Sequence, residues 1–159
     1  VALLSAFSLR SPIGGWLHDV ADIQLTFSSA GVVMAETFVA MPFFVITVEG
    51  ALRSMDTRFE EAAATLGADR ATVFRRVTIP MIGPSMMAGA VLAWARALGE
   101  FGATITFAGN IAGRTRTLPL AVYLELESDP QAAVALSLVL LGVSLVVLVA
   151  LRDRWFIRT

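Results

Sequence analysis

The 159 residues contain no cysteine and no lysine, and His18 is the single histidine. Without cysteine there is no disulfide, no thiolate zinc site and no thiol nucleophile, and one histidine cannot build a histidine metal cluster within one chain. His18 reads as an exposed loop residue. Charge is also scarce: 16% of residues are charged and 57% are hydrophobic, with a mean hydropathy of +0.75. That balance lies outside the ordinary soluble range and points to an integral membrane protein. The formal net charge of −1 argues against a nucleic-acid partner. No GxxxxGK[ST] phosphate-binding loop occurs, so any ATP-driven process takes its energy from a separate polypeptide. The lack of a convincing pair of nucleophile and base speaks against an intramembrane enzyme. All twelve basic residues are arginine, a genomic bias that also suits paired or anion-facing positions.

The apolar runs that are present set the organisation of one all-α membrane domain over 1–159. Residues 1–9, VALLSAFSL, are apolar but too short to cross a bilayer; they read as the end of a transmembrane helix whose beginning is missing. A signal peptide is the alternative, and it lacks a basic start and a small-residue cleavage site. Residues 10–22 hold Pro12, Gly14 and Gly15, which break regular structure, and Trp16, which favours a membrane interface, so a loop is expected.

The first complete span is predicted at about 27–52, kinked by Pro42. A second, at about 81–108, is dense in small residues that let helix backbones approach closely, so it is expected to face protein. Residues 109–131 read as an external loop carrying a short helix or re-entrant piece around the apolar patch Leu118 to Leu126. Asp129 followed by Pro130 is a helix start, and 132–151 is a third span with no charge.

Arginines fix the expected orientation. The loop at 53–80 carries Arg53, Arg58, Arg70, Arg75 and Arg76, and the tail carries Arg152, Arg154 and Arg158; the opposite side holds Arg10, Arg114 and Arg116. By the positive-inside rule the 53–80 loop and the tail are cytoplasmic.

The most specific stretch is Glu60 to Pro80, EEAAATLGADRATVFRRVTIP. Thr57 with Glu60 three residues later forms a capping box on paper, and Asp56 competes as the cap. Gly67 stands where a left-handed residue would end the first helix, Asp69 can cap a second through Val77, and Pro80 opens the next span. Ala62 and Ala63 beside Glu61 offer a low-relief face with a carboxylate at its edge, fit to enter a groove. Val73, Phe74 and Val77 form an apolar stripe that can anchor the elbow to the bundle. The plainer alternative is an amphipathic connector resting on the bilayer.

The pattern Glu61-Ala62-Ala63, three residues, Gly67, nine residues, Val77-x-Ile79-Pro80 resembles the EAA signature of permease subunits in binding-protein-dependent ABC importers. It departs from that signature in Val for Ile and Ile for Leu. The resemblance implies a type I importer permease bundle whose cytoplasmic two-helix elbow couples to an ATPase subunit. Glu61 would contact a basic group there, Ala62 and Ala63 would permit close docking, and Gly67 would make the turn. It also implies ATP and Mg on that ATPase with no cofactor on this chain, an extracytoplasmic binding protein, a permease homodimer and a surrounding lipid bilayer. The stretch Ala95 to Glu127, ARALGEFGATITFAGNIAGRTRTLPLAVYLELE, resembles the molybdate and tungstate branch, and sulfate and thiosulfate permeases share the GEFGA-like core.

Glu36, Arg96 and Glu100 fall inside predicted spans, where ionisable groups pair or line a watery path. Arg96 and Glu100 are four apart on one helical face and can pair; Glu36 at comparable depth is an alternative partner for Arg96. A structural bridge or gate latch is the reading preferred over a substrate site. For a tetrahedral dianion, Thr104, Thr106, Gly109 and Asn110 near the external mouth offer hydrogen-bond donors. Arg114 and Arg116 would guide the anion or grip the binding protein, or remain as solvated loop charges. Ordinary helix packing is the competing account of the threonines. A secondary transporter and a scaffold without transport are the remaining classes, and the coupling loop speaks against both.

Overall fold

Backbone N–H and C=O groups find no partner in hydrocarbon, so long apolar stretches close their own hydrogen bonds as helices. The computed structural model of the chain describes residues 2–156, with side chains described for 2–150. Among the described residues every regular element is helical. The elements are α1 (Ala2–Phe7), α2 (Pro12–Ala21), α3 (Ser29–Ser54), α4 (Arg58–Thr65), α5 (Arg70–Val73), a π-helical turn (Phe74–Thr78), α6 (Ile79–Leu98), α7 (Gly102–Phe107), α8 (Leu118–Ser128) and α9 (Pro130–Phe156). Three segments are long and apolar enough to cross a membrane: Ser29–Ser54, Arg70–Leu98 and Pro130–Ala150.

The segment expected as a loop at 10–22 is instead largely the helix α2. Ser11 is extended at the N-cap, and its hydroxyl accepts the Gly14 N–H at 3.0 Å. Pro12 sits in the first turn, where its missing donor costs nothing. Gly14, which reads as a breaker, is a packing residue: a Cβ there would collide with the backbone carbonyls of Phe7 and Ser8.

The second span also differs from expectation. The helix expected over 81–108 starts earlier and stops sooner, running unbroken from Arg70 to Leu98 through the π turn. Pro80 therefore lies inside a helix rather than opening one. Its ring displaces the carbonyl four residues back. The π turn absorbs this, because the Ile79 N–H reaches the Phe74 carbonyl and the widened turn opens the ladder just ahead of Pro80. At the other end, Gly99 to Phe101 break the helix before α7 restarts it.

The described residues fall into two compact units, one formed by those up to Ala40 together with those from Ala95 onward, the other by Met41–Trp94. In the first, buried Leu3, Ala35 and Phe107 form a cluster flanked by Leu4, Phe7, Leu25, Met34 and Ala103, which joins α1, the start of α3 and α7. Helix α8 packs on α9. Asp129 caps α9 as expected, its Oδ1 accepting from the N–H groups of Gln131 and Ala132 at 3.0 and 3.1 Å. In the second unit α3 meets α6 at Gly89, which is buried; a Cβ there would lie 3.1 Å from Thr47 Cβ and 3.3 Å from the Phe44 ring. The small-residue helix thus packs on protein along this face. The side chains of Arg152, Arg154 and Arg158, invoked for orientation, lie outside the described residues.

Candidate functional site

The elbow belongs to the second unit and is built by α4, the left-handed turn and the start of the long helix. Asp56, the competing cap, takes the role: its Oδ1 accepts the Arg58 N–H at 3.0 Å, while Thr57 makes no side-chain capping bond. The expected capping box does not form, because Glu60 has a better partner. Its carboxylate accepts the hydroxyl of buried Thr78 in the π turn, tying α4 to the helix that enters the membrane.

Gly67 has φ +86°, as the turn requires. The Gly67 and Ala68 N–H groups close on the carbonyls of Ala64 and Ala63 at 3.0 and 3.1 Å, which satisfies two of the carbonyls at the end of α4. Asp69, extended at the start of α5, makes no side-chain capping bond to the helix. The nearby Thr72 hydroxyl and first-turn amides nonetheless hold its carboxyl below the usual range.

The elbow presents an open cleft of about 370 Å³ lined by Glu60, Glu61, Ala64, Arg70, Val73 and Phe74, among others. Acid and base thus share one concavity without an ion pair between them. Glu61 and Ala62 are exposed and Ala63 is half-buried. Val73 and Phe74, expected to anchor the elbow to the bundle, line this cleft instead, and Phe74 is 53% exposed. Val77 is half-buried, and Ile79 and Pro80 are exposed.

Sequence reasoning missed Leu66 and Phe59. Leu66 is 89% exposed beside the turn, the most exposed large apolar side chain among the described residues, and Phe59 is 57% exposed. The available signal was a large apolar residue in an otherwise charged, water-facing loop just ahead of a helix-ending glycine.

In the first unit, Arg96 and Glu100 pair as their spacing predicts, Nη2 to Oε2 at 2.7 Å, with side-chain exposures of 37% and 7%. Glu100 has a second task. Its Oε1 accepts the Ala103 N–H at 2.8 Å, so one carboxylate both neutralises Arg96 and caps α7 at the helix break. Glu36 is half-buried on α3; among the described residues no ion pair joins it to Arg96.

The threonines of the expected anion path do not converge. Thr104 is fully buried and its hydroxyl has no partner, whereas Thr106, two residues on and so facing the other way, is exposed and donates to the Gly102 carbonyl. Asn110 and Arg116 do meet, Nε donating to Oδ1 at 2.9 Å. Arg114 is exposed, and its carbonyl accepts the Ser29 hydroxyl at 2.9 Å, which ties the loop to the start of α3. Gly109 has φ +76° and lies against the Phe27 ring, where a Cβ would come within 2.8 Å of Cδ1; its role here is a close turn. Among the described residues no group of three or more metal-ligating side chains occurs.

Comparison with known proteins places this architecture. The family model described as "Binding-protein-dependent transport system inner membrane component" matches residues 2–158. The molybdenum transport system permease protein ModB of Mycobacterium tuberculosis is 51% identical over 154 residues, covering 97% of this chain and 58% of that protein. The ModB of Escherichia coli K12 is 40% identical over 156 residues, 98% of this chain and 68% of the relative. The sulfate transport system permease protein CysT of Salmonella typhimurium is 41% identical over 149 residues, 93% of this chain and 53% of the relative. The chain therefore spans somewhat more than half the length of most of these relatives. With helices that can cross a membrane, an EAA-type elbow and a family model matched over nearly its whole length, the chain belongs to the inner membrane components of binding-protein-dependent transport systems.

Proposed function

We propose that this chain forms part of the permease of an ATP-driven importer for molybdate, and by the same chemistry tungstate, working by alternating access. The observation that supports the substrate is the 51% identity to a molybdenum permease over 97% of the chain. The elbow docks on a separate cytoplasmic ATPase that binds ATP and Mg. Exposed Glu61 meets a basic group there, Ala62 and Ala63 admit close approach, Gly67 holds the turn, and the Val77-x-Ile79-Pro80 segment passes the motion into the span. Leu66, beside that turn, is the apolar plug of the docking face. Substrate arrives from an extracytoplasmic binding protein, and two permease copies complete the path, since a two-fold ATPase pair closes most simply on a homodimer.

Within the membrane, the Arg96–Glu100 pair is a structural latch that holds the break before α7, with Glu36 on the same path. Asn110, Arg114 and Arg116 guide the anion at the mouth, with Thr104 and Thr106 as lesser contributors. Elbow and tail lie on the cytoplasmic side. A sulfate or thiosulfate importer is the second reading, supported by a sulfate permease 41% identical to the chain, a figure level with that of the Escherichia coli molybdenum permease.

The test is uptake into liposomes holding the full-length permease, its ATPase and its binding protein. ATP-dependent molybdate uptake that excess sulfate barely reduces is the expected result. Uptake abolished by sulfate moves the protein to the second reading, and no ATP-dependent uptake of either anion removes both.

A further inference from the structure

We propose that α2 is an interfacial helix whose Ile13, Trp16 and Val20 side chains enter the lipid boundary between headgroups and acyl chains at the level where α3 begins. The three residues fall at i, i+3 and i+7, one face of the helix, and are 52%, 62% and 66% exposed. The rest of the helix is accounted for. Gly14 is pressed onto the carbonyls of Phe7 and Ser8, and His18, Asp19 and the C-terminal Asp22 form a polar arc.

The level of α2 follows from its neighbours in the same unit. Leu3, Leu4 and Phe7 of α1 share a cluster with Met34 and Ala35 of α3. Those two residues lie roughly 8–9 Å into a span that starts at Ser29, at 1.5 Å per residue. Helix α1 therefore lies beside the first two turns of the span. Helix α2, joined to the end of α1 through the bonds of Ser11 to the Ala6 and Ser8 carbonyls, sits where hydrocarbon gives way to headgroups.

An amphipathic helix with an aromatic on its apolar face is the kind of element that lies in that zone, and tryptophan favours it above other residues. The helix carries no Arg or Lys. Attraction to anionic lipid therefore does not hold it there, and its occupancy should be insensitive to lipid charge. The proposal rests on α3 being a span and not on the substrate carried.

The test uses the full-length permease with any cysteines outside these residues removed. Single cysteines replace Ile13, Val20 or Asp19, each bearing a nitroxide label, in vesicles of phosphatidylcholine with and without phosphatidylglycerol. Trp16 stays in place in these three variants, and Trp16→Cys is added as a fourth, so a folding defect at that site alone does not decide the outcome. Labels at 13, 16 and 20 are expected to be relaxed several-fold more by oxygen than by a water-soluble nickel chelate, with the reverse at 19 and no change between the two lipids. Preferential nickel access at 13 and 20 would put the stripe in water and overturn the proposal. Protection from both reagents would do so as well, since another protein segment would then cover the face.

Discussion

Replacing Arg96 by alanine should cost more than replacing the carboxylate it faces. Glu100 is 6% exposed, accepts the Ala103 N–H at 2.8 Å and stands 2.7 Å from the Arg96 guanidinium. Arg96→Ala leaves that carboxylate with its charge uncompensated, a change that costs about 3–5 kcal/mol for a fully buried pair. The Arg96 side chain is 37% exposed, so water entering the vacated space repays part of this, and we expect about 2–3 kcal/mol. Glu100→Ala releases Arg96 towards water but orphans the Ala103 N–H, worth about 2 kcal/mol. Glu100→Gln keeps an acceptor for that N–H and should cost about 1 kcal/mol.

The double variant Arg96→Ala/Glu100→Ala should cost no more than Glu100→Ala alone, because the unpaired charge is gone. The coupling between the two sites is then about 2 kcal/mol. Equilibrium unfolding of the full-length permease in mixed micelles reads all four values. Costs that add to within about 0.5 kcal/mol, with Arg96→Ala near neutral, would refute the reasoning that one carboxylate serves both the arginine and the cap of α7.

Further consequences concern the second unit. Gly89→Leu should destabilise by about 1–3 kcal/mol through overpacking against Thr47 and Phe44, and Gly89→Ala by less; thermal unfolding reads the order, and an equal effect would contradict the close approach. Thr78→Val removes the hydroxyl that Glu60 holds and should loosen α4 by about 1 kcal/mol, seen as faster amide exchange in Arg58–Thr65 with α9 unchanged. Leu66→Asp should leave folding intact, because the side chain is 89% exposed, and should cut the ATPase that co-purifies several-fold; retained ATPase would remove Leu66 from the docking face.

Where one signal acts alone the fold was legible. The charge-free run after Asp129-Pro130 is α9, the apolar run before Arg53 is α3, and Gly67 takes the left-handed turn. Where local chemistry competed with a distant partner it was not. Glu60 left its capping box for Thr78, eighteen residues away, a contact that exists only once the elbow has folded. The glycines of α2 read as breakers because their packing against α1 cannot be seen from composition. Pro80 looked like a helix start because nothing in the residues before it announces a π turn.

At the candidate site Arg96 and Glu100 meet at the i, i+4 spacing although α6 ends at Leu98, because the Glu100 N–H turns back onto the Ala97 carbonyl at 2.9 Å and keeps the carboxylate on the arginine's side. The two threonines do not share a face: positions 104 and 106 point to opposite sides of α7, and Thr104 is buried. The exposed apolar residues of the elbow, Leu66 and Phe59, went unnoticed because amphipathic reasoning assumes that large apolar side chains face inward.

In the proposed function the elbow is the contact through which ATP hydrolysis drives the permease, and Glu61→Lys tests it most directly. Glu61 is exposed and makes no ion pair among the described residues, so the change should not disturb the fold. The measurement is the ATPase rate of the reconstituted full-length complex with and without substrate-loaded binding protein. Stimulation by the loaded binding protein should be lost in Glu61→Lys while the helical content and thermal unfolding of the permease match the parent chain. Undiminished stimulation, together with normal uptake, would contradict the coupling role of the elbow.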